Sequence, residues 1–250
     1  MITIAPIVPT AYLEKVGLGA KVHLVLAHQV MSDTRYAAFY RRQSDTYVIL
    51  DNSAFELGEA VATEVIIKTA GLIRPDEVVL PDVLYDAAKT LSRVTAFLQE
   101  HKTAFPADMH FMAVPHGESL EEYISCYQEL AGMPDVYALG IGTIYNYKFP
   151  GGRKAIFKTL QERGILSDKP HHLLGLGDSG HMELRALKGY GVIRSCDSSA
   201  AYIQALHGMH IQPDYPYKKI RSKIVFEDPY REDTAVFTEA NLKVLQEASL

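Results

Sequence analysis

The stretch Val192–Tyr202 reads VIRSCDSSAAY. An apolar run ends in Asp197, and small hydroxyl residues lead on into a second apolar segment. With the run as a strand and the segment as a helix, Asp197 stands at the exposed tip of the strand, where α/β barrels keep their chemistry. Taken alone, the same pattern also suits a carboxylate that caps the helix through Ser198, Ser199 and Ala200.

Working outward, apolar runs at Ile2–Val8, Val22–Ala27, Tyr47–Leu50, Glu77–Leu80, His110–Val114, Val136–Ile141, His172–Leu176 and Val192–Cys196 give eight candidate strands. Helical spacing fills most of the gaps: Ala87, Leu91, Val94, Phe97 and Leu98 within Ala87–His101, then Leu120, Tyr123, Ile124, Tyr127 and Leu130. Short apolar strands joined by helices imply parallel pairing through crossovers. A doubly wound sheet would show phosphate-binding glycines after its first strand, and here that place holds Pro9-Thr10. The expected fold is therefore α/β: a (β/α)8, TIM-like barrel over residues 1–206 with a C-terminal extension over 207–250. Within the extension, His207–Arg231 is turn-rich, with Pro213, Pro216 and Pro229. A closing helix over Asp233–Ala248 follows, with Val236, Phe237, Ala240 and Val244 on one face.

At 250 residues the chain is long enough for one such barrel. Its 48% hydrophobic and 22% charged content is globular, and no apolar run approaches the roughly 18–20 residues of a membrane span. The opening MITIAPIVPT lacks a positive n-region and reads as a first strand, so no signal peptide is expected. Cys126 and Cys196 are the two cysteines, without metal-ligand spacing, and a reducing cytoplasm fits them. A net charge of −5 argues against nonspecific coating of nucleic acid, although a local basic patch is compatible with it.

The residues that follow the strands carry the candidate chemistry. They are Asp51 with Asn52 and Ser53, Asp82, His116-Gly117, Gly140 and Gly142, Gly175, Gly177 and Asp178, and Asp197. Carboxylates gathered at one rim repel each other unless a cation or a shared proton relieves them, so the convergence points to function. Paired carboxylates can act as nucleophile and acid/base at an anomeric carbon, stabilising the positive charge that develops there. Alternatively, Asp51, Asp82, His116 and Asp197 could ligate a divalent metal. The alternate glycines of YALGIGTI and LLGLGDSG either let a flat ligand approach the backbone or form tight turns. Phe55 is either a stacking platform or ordinary core.

Six stretches in order, ILDNSAFE, LPDVLYD, MAVPHG, ALGIG, HHLLGLGD and CDSSAAY, resemble the tRNA-guanine transglycosylase superfamily, the queuine and archaeosine tRNA-ribosyltransferases. The likeness runs from about Thr3 to Ala205 and is nearest the archaeal type around CDSSAAY. The resemblance implies a (β/α)8 barrel that exchanges guanine in a nucleic acid for a 7-deazaguanine base, such as preQ0 or preQ1, through a covalent aspartyl bond to C1′. It implies Asp197 as nucleophile, with Ser198 and Tyr202 also matching, and Asp51 in a general acid/base role beside Asn52. Phe55 takes the place of the stacking aromatic, and Asp82 that of the carboxylate reading the purine's N–H edge. His116 stands near a base-reading glutamine, Gly140 and Ile141 in the backbone stretch that contacts the base, and Leu174 where the ring's other face is covered. No cofactor or metal is implied in the reaction.

The departures point to a particular branch. The family's D-S-G-G-F is Asp51-Asn52-Ser53-Ala54-Phe55 here, which lacks the tight glycine pair. No cysteine follows Cys196, so the family's three-cysteine, one-histidine zinc site is missing. A pared-down barrel resembles the phage and bacterial relatives that place 7-deazaguanines in DNA, so DNA is expected ahead of tRNA, in the cytoplasm of a cell or, for a phage protein, of its host. A partner protein is compatible with this reading. The basic stretch Tyr215–Ile224, with Lys218, Lys219, Arg221 and Lys223, offers a backbone-binding surface or a solvated loop, and Lys148, Arg153 and Lys154 would extend it. The competing functions are a tRNA-directed transglycosylase, a nucleoside hydrolase or metal-dependent small-molecule enzyme on the same barrel, and a noncatalytic nucleic-acid-binding subunit.

Overall fold

The structure is a computed structural model that describes residues 1–177, 180–217, 220 and 222–250. Eight strands form one all-parallel sheet: β1 (Thr3–Pro6), β2 (Val22–Leu26), β3 (Tyr47–Asp51), β4 (Glu77–Val79), β5 (His110–Ala113), β6 (Ala138–Gly142), β7 (His171–Leu174) and β8 (Ile193–Ser198). Ladders run in the order β1-β8-β7-β6-β5-β4-β3-β2, and β1 lies against β2, so the sheet is a nearly closed barrel ringed by helices. This is the (β/α)8 architecture expected from the alternation of apolar runs and helical spacing.

The helices form where capping and amphipathic spacing agree. Asp86 caps Ala87–His101 by accepting from Lys89 N at 2.9 Å, and Ser119 caps Leu120–Gly132 by accepting from Glu122 N at 3.2 Å. The first buries Thr90, Val94 and Phe97, and the second Tyr123, Ile124, Tyr127 and Leu130. The closing helix, Glu232–Ala248, is rotated from its expected face: Thr234, Thr238, Asn241 and Leu245 go inward while Val236 stays exposed. Hydrogen bonding explains the difference. Asn241 donates to the carbonyls of Ala201 and Met209, both at 3.1 Å, and accepts from Ile211 N at 2.8 Å, so its burial is compensated and it pins 207–211 to the barrel. The helix packs on Ala200–Leu206, on His181–Leu187 and on β1, and so belongs to the outer layer.

Polar side chains plug the N-terminal end of the barrel. Glu77, fully buried, accepts from Tyr47 Oη at 2.8 Å and pairs with Arg194 from across the barrel, while His110 stacks on Tyr137 with 3.7 Å between ring centres. With this floor sealed, the open end is the C-terminal one. Among the described residues, no helix is long and apolar enough to cross a membrane.

Candidate active site

A cavity of about 830 Å³ opens at the C-terminal ends of the strands, a volume within the usual range for small-ligand sites. Asp51, Asp82, His116 and Asp197, from four different strand ends, all border it. So do Phe55, Asn52, Leu174, Ser198 and Lys223. The expected convergence of carboxylates is therefore present in the geometry.

Asp197 lies within β8, and the chain after it enters the helix Ala200–Leu206. It does not cap that helix. Its Oδ1 accepts from Gly175 N at 2.8 Å and contacts His172 Nε2 at 3.1 Å, both from β7 and its end, so the carboxylate turns across the rim and away from the helix N–H groups. Ser198 Oγ instead accepts from Ala200 N at 3.0 Å. Tyr202 is buried, edge-on to Tyr12 with 5.0 Å between ring centres, and donates to Asp228 at 2.8 Å; its role is packing.

Asp51 ends β3, and its Oδ2 accepts from Ser53 N at 2.7 Å. The turn that returns this N–H needs a left-handed residue, and Ser53 supplies it at φ 63° in place of a glycine. Such a conformation costs about 1–2 kcal/mol in an L-residue. Here Ser53 Oγ accepts from His28 N at 3.3 Å, and Asn52 Oδ1 from Ala54 N at 2.9 Å, which over-determine the turn. Burial pushes the Asp51 carboxyl well above the usual range, and the charges of Glu56, Asp82 and Asp197 add to this while the Ser53 N–H opposes it.

Asp82 is held from two sides. Asn52 Nδ2 donates to Oδ1 at 2.6 Å and His116 Nε2 lies 2.6 Å from Oδ2. The His116 tautomer follows from its other nitrogen: Nδ1 faces Tyr85 N at 3.2 Å, a group that can only donate, so the proton sits on Nε2 and points at Asp82. Each Asp82 oxygen keeps a lone pair for a ligand's N–H edge. His116 thus orients the Asp82 carboxylate, and Tyr145, 2.9 Å from its Nδ1, backs it.

Phe55 is 61% exposed at the rim, which leaves its face free to stack on a planar ligand. Gly140 and Ile141 do not border the cavity; Gly142 and Thr143 do. A Cβ on Gly140 would meet Leu174, Met112 and Val114 at 2.9–3.0 Å, so this glycine lets the barrel interior close beneath the site. The Ile141 carbonyl accepts from Arg153 Nη1 at 3.0 Å. Arg153 is no part of a basic track: it is fully buried and paired with Glu183 at 2.7 Å. Lys148 pairs with Glu118 and lies over the Tyr85 ring. Of the basic stretch, Lys218, Lys219 and Arg221 lie outside the described residues, as does Asp178; Lys223 lines the cavity and its charge acts on Glu56.

Three cavity groups, and one side chain beneath the cavity, escape a reading by motif. Glu56 follows Phe55 at the mouth, where loss of water around its carboxyl and the charge of Asp197 push it up to about 7, against the pull of a backbone hydrogen bond and of Lys223. His28 and Gln29 follow β2, and His28 Nδ1 and Gln29 Oε1 are buried without partners. Their position directly after an apolar run is the same signal that marks Asp51. His172 is the second residue of an unremarkable HHLL strand, and only the pairing of β7 with β8 brings it to Asp197. Among the described residues, no three His, Cys, Asp or Glu side chains are grouped to hold a metal ion. Cys126 and Cys196 are buried and unpaired with each other. No protein-family model matches the chain, and no curated protein matches it.

Proposed function

We propose that the protein is a base-exchanging transglycosylase that replaces guanine in DNA with a 7-deazaguanine base through an Asp197–C1′ intermediate. The observation that carries this reading is the contrast between two carboxyls in one cavity. Asp197 accepts two hydrogen bonds at Oδ1, from Gly175 N and His172 Nε2, whereas burial and neighbouring charges push the Asp51 carboxyl well above the usual range, toward its protonated form. Splitting acid from nucleophile in this way is what displacement at an anomeric carbon requires.

In the first step an Asp197 oxygen bonds to C1′ as the C1′–N9 bond breaks, and the electron pair leaves with guanine, which takes a proton from Asp51. In the second step Asp51, now a base, accepts the N9 proton of the incoming base, whose N9 displaces Asp197 from C1′. The proton lent is returned, and two inversions retain configuration. Asp82, oriented by His116 and Asn52, would accept from the ring and exocyclic N–H groups, with Phe55 and Leu174 against the ring faces. The nucleotide must be extruded from a duplex or taken from a single strand. DNA is favoured over tRNA because the zinc-binding cysteines of the tRNA-directed relatives have no counterpart after Cys196.

Incubating the protein with radiolabelled guanine and, separately, duplex DNA, single-stranded DNA and tRNA tests this directly. Label should enter DNA, and Asp197→Ala should abolish it. Label in tRNA alone would move the protein to the tRNA-directed branch, and no label in any polymer would overturn the exchange reading.

A further inference from the structure

His172 and Ser195 lie beneath the carboxylates, inside the barrel, and are both fully buried. Ser195 Oγ is 2.7 Å from His172 Nδ1, and His172 Nε2 is 3.1 Å from Asp197 Oδ1. Ser195 and Asp197 are two residues apart on β8 and therefore face the same side of the sheet, while His172 reaches between them from β7. A carboxylate only accepts, so Nε2 must carry the ring proton, and the Ser195 hydroxyl completes the chain by donating to Nδ1. Gly175 N makes the second bond to the same oxygen, Oδ1, at 2.8 Å. Neither bond reaches Oδ2.

We infer that His172, locked in its Nε2–H tautomer by Ser195, is a positioning residue that ties down Oδ1 of Asp197 and presents Oδ2 as the attacking atom. This rests on the proposed role of Asp197 as nucleophile. In the step concerned, the Oδ2–C1′ bond forms, the C1′–N9 bond breaks and its electron pair leaves with the base; His172 keeps its proton throughout. Loss of the His172 bond frees the carboxylate to rotate about its Cβ–Cγ bond and removes one of the two donors to Oδ1. The base, held at Asp82, should be bound as before. The fingerprint is a loss in the rate of adduct formation without a loss in base binding.

The variants for the test are His172→Leu, His172→Gln and Ser195→Ala. Glutamine is chosen because its amide can present an N–H near the position of Nε2 and an oxygen near that of Nδ1. Rates of covalent trapping on DNA are measured in single turnover, guanine affinity by titration, and the His172 tautomer in the free wild-type protein by 15N NMR of the ring. A hydrogen bond to a charged group is worth enough that His172→Leu should slow trapping about 10- to 100-fold. Guanine affinity should be unchanged, His172→Gln should recover most of the rate, and Ser195→Ala should fall between wild type and His172→Leu. An Nδ1–H tautomer in the wild type, a full rate in His172→Leu, or a His172→Gln protein as slow as His172→Leu would overturn the inference while trapping by the wild type stands. Absence of trapping in the wild type would instead overturn the proposed function and the inference with it. If His172→Leu fails to fold, the tautomer and the other two variants decide.

Discussion

Arg153→Met should be among the most destabilising single changes in this protein. The guanidinium is fully buried and all its N–H directions are used: Nε and Nη2 bond Glu183 at 2.9 and 2.7 Å, Nη1 the Ile141 and Leu174 carbonyls at 3.0 and 3.4 Å, and Nη2 the Gly175 carbonyl at 2.9 Å. Methionine fills part of the volume but leaves Glu183, itself 1% exposed, without a countercharge. Breaking a buried pair on one side costs about 3–5 kcal/mol. In a domain of this size that is a fall of about 6–20 °C in Tm. The loss should depend on pH. Burial pushes the Glu183 carboxyl up, but the charge and hydrogen bonds of Arg153 outweigh it and the net shift is downward, so the pair's contribution is present above the ordinary glutamate range and fades as pH falls through the depressed value. In the variant only the upward push of burial remains against Asn146 and Gly177, so the gap from wild type should be widest near pH 8 and narrow toward pH 4. Urea unfolding followed by circular dichroism at several pH values measures it, and Arg153→Met with Glu183→Leu should recover part of the loss by removing the stranded charge. A single-variant loss under about 1 kcal/mol, the scale of an exposed pair, would refute this account of the clamp.

Three further outcomes follow from the site and its support. Glu56→Gln should raise stability above pH 7 and leave it unchanged near pH 4: a carboxyl pushed up to about 7 binds more protons folded than unfolded between the ordinary glutamate range and about 7, so it erodes stability as pH rises through that range. Because Glu56 is exposed at the mouth, the gain in chemical unfolding should stay below about 1 kcal/mol. Asp51→Asn should leave the melting temperature at or above that of wild type, since it removes a carboxyl strained by burial, while slowing exchange of labelled guanine by at least the roughly 100-fold typical of lost acid/base catalysis. Gly117→Ala should lower the melting temperature, because its Cβ would meet the Tyr123 backbone at 2.4–2.8 Å; overpacking of this kind costs about 1–3 kcal/mol.

The barrel was legible because each strand is a short apolar run bounded by turn residues, and every run falls within three residues of the observed strand. Ala87–His101 matches in its bounds because Asp86 supplies a cap where the apolar spacing begins. Reading by residue type failed where a distant partner changes what a side chain is worth. Arg153 looks like a surface cation beside Lys154, and only Glu183, on another helix, makes its burial favourable. Asn241 looks like a solvated position, yet three backbone partners draw it inward and turn the closing helix with it. Asp51, Asp82 and Asp197 could be placed at one rim from strand ends alone, whereas His172 could not, because its meeting with Asp197 depends on the register between β7 and β8, which includes a one-residue irregularity at His171/His172.

In the proposed reaction Asp197 bonds covalently to the sugar of a deoxyguanosine in DNA. Incubation with guanine-containing single-stranded DNA, denaturation, digestion of both polymers and mass spectrometry of the peptides measures this directly. The account predicts a deoxyribosyl nucleotide that has lost guanine, attached to the peptide carrying Asp197 and absent from Asp197→Asn. Wild-type peptides without any such mass, or an adduct that persists in Asp197→Asn, would contradict it.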